Sequence, residues 1–190
     1  ALAGRELILG FDHHSTLRTR NKLANAFMDA GEYDAAIALH EETRSLRRTV
    51  LGPDHLDTLV SRNDLAVAYE TIGNYKAAVE LLQTTVQDFA RVVGSCHPEA
   101  LIARSNLAVG YDRIGEHAES LRRHREVVDD CVRVYGPTHF QTLIARNALG
   151  VAHHHNREYP QAVNEYLTVL RGYRDTVGPA HRGAITTRNN

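Results

Sequence analysis

The sequence predicts an all-α solenoid of antiparallel helix pairs. Three observations carry that prediction. Gly10, Gly52, Gly94, Gly136 and Gly178 recur every 42 residues, as do His13, His55, His97, His139 and His181, and Arg20, Arg62, Arg104, Arg146 and Arg188. A strict period of this length marks a repeat architecture, in which each repeat is one supersecondary unit that buries its apolar face only against its neighbours. Within a period the apolar residues fall at helical spacing, in two stripes, with turn residues between them. The chain therefore divides into the tail of a preceding repeat (1–9), four full repeats (10–51, 52–93, 94–135 and 136–177) and the start of another (178–190).

In chain order, the opening segment ALAGRELILG matches the ends of later repeats, SLRRTVLG, DFARVVG and GYRDTVG. The second full repeat shows the internal plan. Gly52 suits the C′ position that ends a helix, and Pro53 cannot continue one. Asp54 and Asp57 are the expected N-cap or first-turn acids of the next helix. From about Asp57 to Thr71, the residues Leu59, Leu65, Ala66 and Tyr69 form one helical stripe. Gly73 and Asn74 supply a turn. From Tyr75 to about Val93 a second stripe holds Tyr75, Ala78, Val79, Leu82, Val86, Phe89 and Ala90. The other periods repeat this plan. Leu23-Ala24, Leu65-Ala66, Leu107-Ala108 and Leu149-Gly150 set a large residue beside a small one, as close helix contact requires. Gly31, Gly73 and Gly115 hold the turn between the two helices. Arg157 stands where the fourth glycine belongs, and Asn156 is expected to take the left-handed conformation instead.

Composition narrows the function classes. A chain of 190 residues can bury a substantial core as one domain. The net charge of −1 argues against nucleic acid or anionic lipid as the main partner, since both call for a basic surface. No stretch approaches the ~20 apolar residues needed to span a bilayer. Two cysteines, Cys96 and Cys131, make no disulfide framework, and a reducing, cytoplasmic compartment is the default. Arginine far outnumbers lysine, which occurs only at Lys22 and Lys76, as in GC-rich bacterial genomes. Neither end carries the polar capping repeat that solenoids need. The chain is thus expected to be part of a longer array, with end-to-end self-association through its uncapped faces.

The run R-N-x-L-A-x-A-Y-x-x-x-G-x-Y-x-x-A, as in Arg62 to Ala78, resembles a tetratricopeptide repeat. The 42-residue spacing and the L-G-x-D-H-x-x-T-L linker, Leu51 to Leu59, resemble the kinesin-light-chain subtype, which also occurs in bacterial signalling proteins. The resemblance covers essentially the whole chain. It implies a right-handed superhelix of antiparallel helix pairs, with the first helix of each pair lining a concave face that takes an extended peptide or a partner's helix. Carried onto this sequence, that rule places Asn21, Asn63, Ser105, Asn147 and Asn189 at equivalent groove positions. Beside them stand Lys22, Asp64, Asn106 and Ala148, then Asn25, Val67, Val109 and Val151. One turn earlier stand Arg18, Val60, Ile102 and Ile144. Toward the helix ends come Met28, Glu70, Asp112 and His154, then Asp29, Thr71, Arg113 and His155.

Spacing fits a peptide on such a face. Stacked helices lie ~8–10 Å apart and an extended chain rises ~3.3 Å per residue, so one asparagine per repeat would meet about every third peptide residue. A side-chain amide both donates and accepts, which suits backbone groups of any sequence. The same amides could instead tie adjacent repeats together. The cationic clamp by which some members of the family hold a C-terminal carboxylate is not matched. Its equivalents here are Asn21, Asn25, Asp64, Ile102 and Asn106, and Asp64 would repel a carboxylate. The aliphatic centre, Val60, Val67, Ile102, Val109, Ile144 and Val151, favours a partner with apolar anchors.

Other features read as structural. Periodic histidines in successive repeats lie ~10 Å apart, whereas zinc ligands converge at ~2.1 Å. They are expected to lock loops, and the periodic arginines to lie across a neighbouring loop or helix with buried stems. His153 takes the place of Phe27, Tyr69 and Tyr111 and should fill an interhelix space, with His154 and His155 directed toward the groove. Cys96 beside His97 lacks a third orienting group for a nucleophile. Arg122, Arg123 and Arg125 face Glu126, Asp129 and Asp130 as an ion-paired outer surface. No phosphate-binding glycine loop, H-E-x-x-H or G-x-S-x-G occurs. The expected function is a protein- or peptide-binding scaffold with no cofactor, no metal and no catalytic residue, within a larger bacterial signalling or regulatory protein. The alternative is an autoregulatory sensor array that controls an attached ATPase, protease-like or DNA-binding domain.

Overall fold

A computed structural model describes residues 2–176 and 182–190. Gly178 and His181 lie outside the described residues, as does the side chain of Asn189. The described residues form ten α-helices and no strand. They fall into two compact units, residues 1–95 and 96–190. Unit 1 holds α1 (Leu2–Leu9), α2 (His14–Ala30), α3 (Tyr33–Leu51), α4 (Leu56–Thr71) and α5 (Tyr75–Val92). Unit 2 holds α6 (Pro98–Arg113), α7 (His117–Tyr135), α8 (Phe140–His155), α9 (Tyr159–Thr176) and α10 (Arg182–Asn189). Inside each unit every helix packs on the next, and in unit 2 α6 also lies beside α8. The short connections within pairs force antiparallel neighbours.

The periodic histidines explain where the first helix of each pair begins. His13, His55, His97 and His139 are its N-caps, each in extended backbone, and each Nδ1 accepts from the N–H two residues on at 3.1–3.2 Å. That bond satisfies one of the orphan donors of a helix start. Of the N-cap or first-turn places expected for Asp54 and Asp57, the cap goes to His55 instead. Asp57 sits in the first turn, and Asp54 instead pairs with Arg91.

The turn inside each pair is closed by two backbone bonds. In the first repeat Gly31 N–H donates to Met28 and Glu32 N–H to Phe27, with Gly31 at φ 80°. In the fourth repeat the same bonds run from Arg157 to His154 and from Glu158 to His153. There Arg157 itself adopts φ 61°, while Asn156 stays at φ −80°. The expectation that Asn156 would turn left-handed is thus corrected. Register of the two bonds, rather than the local preference of asparagine, decides which residue takes the strained position.

The core recurs with the same period. Leu17, Leu59, Leu101 and Leu143 are buried on the first helices, as are Ala24, Ala66, Ala108 and Gly150. The second helices bury Ala36, Ala78, Ser120 and Ala162, then Thr43, Thr85, Val127 and Val169. Thr85 therefore takes a core place, its hydroxyl donating to the Leu81 carbonyl, whereas Ala90, assigned to the stripe by spacing, is exposed. The periodic arginines lie across neighbouring helices. Arg20 bonds to Glu6 at 2.7 Å and also to Glu42, Arg62 to Asp88 at 2.6 Å, Arg104 to Asp130 at 2.5 Å and Arg146 to Glu165 at 2.9 Å. On α7 the pairing differs from the expected one. Arg122 and Arg123 share Glu119, Arg122 also reaches Glu126, and Arg125 faces Glu158, while Asp130 is taken by Arg104 and Arg133.

Candidate interaction face

The candidate face is built on the first helix of each pair, because their second sides are consumed by packing. In unit 1, α2 exposes Arg18, Lys22 and Asn25, and half-buries Asn21 and Met28. On α4, Val67 is 38% exposed, Val60, Asp64 and Glu70 are half-buried, and Asn63 is only 6% exposed. Asn63 thus offers almost no surface to a ligand. In unit 2, Ile102 and Ile144 are 40% and 43% exposed, Asn106, Val109, Asn147 and Val151 are half-buried, and Arg113 and His154 are exposed.

Part of the polar set is occupied by bonds between neighbouring first helices. Asn21 Nδ2 donates to Asp64 Oδ2 at 2.7 Å. Asn190 Nδ2 donates to Asn147 Oδ1 at 3.2 Å. Asp112 accepts from His155 Nδ1 at 2.5 Å and from His117 Nδ1 at 2.8 Å. His14 Nδ1 lies 3.3 Å from Asp57. Each of these links between first helices spans 43 residues, one repeat plus one position. Sequence reasoning compared positions 42 apart and so passed over them. Complementary polar residues at a spacing of 43 were the signal. His155 is thereby engaged with Asp112, while His154 remains exposed, its ring 5.4 Å from Tyr159. His153 fills the interhelix space at 5% exposure and bonds to Glu158 at 2.7 Å, and that bond holds the Glu158 carboxyl below the usual range.

Between α6 and α8, above α7, the face opens into a cavity of about 160 Å³. Ile102, Asn106 and Ile144 line its mouth, and Leu101, Val127 and Cys131 its wall and floor. The floor residues come from the second helix, which sequence reasoning had not assigned to the face. Burial pushes the Cys131 thiol upward, with Asp130 adding to it, so the floor is a neutral thiol. Cys96 Sγ accepts from Arg133 at 3.2 Å, and His97 Nδ1 is spent on its cap. Among the described residues no cluster of His, Cys, Asp and Glu could hold a metal ion, and no helix is long and apolar enough to cross a membrane.

Comparison with known proteins bears on the fold. The sequence profile for the tetratricopeptide repeat matches residues 15–89 and 99–175. A single-substitution form of a Podosopora anserina protein with nearly identical TPR-like repeats, described as a kinesin light chain, superposes with a TM-score of 0.77 at 27% identity over 92% of this chain and 82% of that one. BtubC (BKLC) from P. vanneervenii gives 0.76 at 17% identity, over 90% of this chain and 65% of that one. MamA from Desulfovibrio magneticus RS-1 gives 0.63 at 17% identity, over 91% and 85%. The last two likenesses concern fold alone. No curated protein sequence matches the chain.

Proposed function

The chain belongs to the tetratricopeptide repeat family, and from that membership we propose that it is a scaffold that binds a segment of another protein along the exposed faces of its first helices. The observation that carries this reading is the pair of solvent-exposed aliphatic residues in unit 2, Ile102 and Ile144, with the apolar cavity between them. A soluble helix normally turns such residues inward, and a contiguous apolar surface with a polar rim is the usual mark of a protein contact. Helices already packed on one another within unit 2 present it with little ordering cost. The mechanism is preorganisation.

The test is a selection of displayed random peptides against the protein, with the double variant Ile102→Asp and Ile144→Asp as counter-selection. Both substitutions lie on the surface and should leave helicity unchanged. Peptides that hold the parent should lose at least about tenfold in affinity on the variant, the ordinary effect of removing central apolar contacts. Peptides that bind both equally would place the interaction elsewhere. The finer setting we propose is the cytoplasm of a bacterium, as part of a signalling or regulatory protein. Arginine excess and a count of only two cysteines support it, and thiol trapping in the native host should find Cys96 and Cys131 reduced.

A further inference from the structure

We draw no further inference here: the strongest candidate, the half-buried Cys96 thiol in the loop before α6, which stands at the place of Asp54 and accepts from Arg133 as Asp54 accepts from Arg91, is a lone cysteine beside which the structure shows no second feature that points to a ligand or a modifying group.

Discussion

Arg157 holds φ 61° in a turn whose counterparts are Gly31, Gly73 and Gly115. An L-residue there crowds its Cβ against the following carbonyl. Its side chain is exposed and makes no ion pair among the described residues, so little is lost by removing it. Arg157→Gly should raise the unfolding free energy by about 0.5–1 kcal/mol, after allowance for the freer unfolded glycine. The urea midpoint is the measurement, and a lowered midpoint would show that the arginine side chain contributes more than its backbone costs. The missing glycine was visible in the sequence as a break in the period. Which residue would bear the positive φ was not, because that depends on two hydrogen bonds rather than on residue preference. The histidines were likewise visible as a period, but their capping role was hidden because histidine is not among the favoured N-cap residues.

At the scale of elements, helix and turn positions followed from apolar spacing and glycine, since each repeat is a local structure whose signals lie within 42 residues. What spacing could not show is how neighbouring positions compensate one another. Gly150 stands where Ala24, Ala66 and Ala108 stand, and a methyl group on it would come within 2.5 Å of the Tyr166 ring. Tyr166 occupies the position of His40, Leu82 and His124, so the largest side chain there faces the smallest partner. Arg47 and Ser61 form a similar couple. Arg47 is buried at the place of Phe89 and Cys131, and its Nη1 donates to Ser61 Oγ at 2.6 Å, where the later repeats carry Ala103 and Ala145. Gly150→Ala should therefore destabilise by about 1–3 kcal/mol through overpacking. Combined with Tyr166→Leu, the cost should largely vanish, a coupling that a double-mutant cycle measures directly. Additive costs would mean that the ring moves aside freely. The candidate face divides in the same way. Its aliphatic residues were legible, because exposed apolar residues break the stripe. The Asn21–Asp64 and Asp112–His155 ties and the Cys131 floor were not, since they depend on how successive helices abut.

For the molecule as a whole, two buried histidines at equivalent positions set how stability responds to acid. His40 is 1% exposed in unit 1 and His124 is 3% exposed in unit 2, and neither Nδ1 has a hydrogen-bond partner. Burial lowers both, against the opposing pull of Asp64 on His40 and of Asp112 on His124; Arg47 lowers His40 further. His124 falls from 6.5 to about 4. Between those values the unfolded chain binds the proton and the folded one does not, so stability is complete above about pH 6.5 and declines as pH falls toward 4. For His124 alone the loss is roughly 3 kcal/mol. A second window lies lower. Glu119 is held down to about 2, first by its hydrogen bond from Arg122, and Asp88 is held low, first by Arg62. Their contribution persists above the ordinary carboxylate range and is lost only as pH drops through the folded values. Urea unfolding at about pH 7, 5.5 and 4.5 isolates the upper window, which lies between the unfolded and folded histidine values. The parent should weaken steadily across that range. His40→Leu with His124→Leu, which installs the residue found at Leu82, should flatten the upper window and leave the lower one in place. If the double variant loses stability across that range as steeply as the parent, the acid response arises from groups other than these two imidazoles.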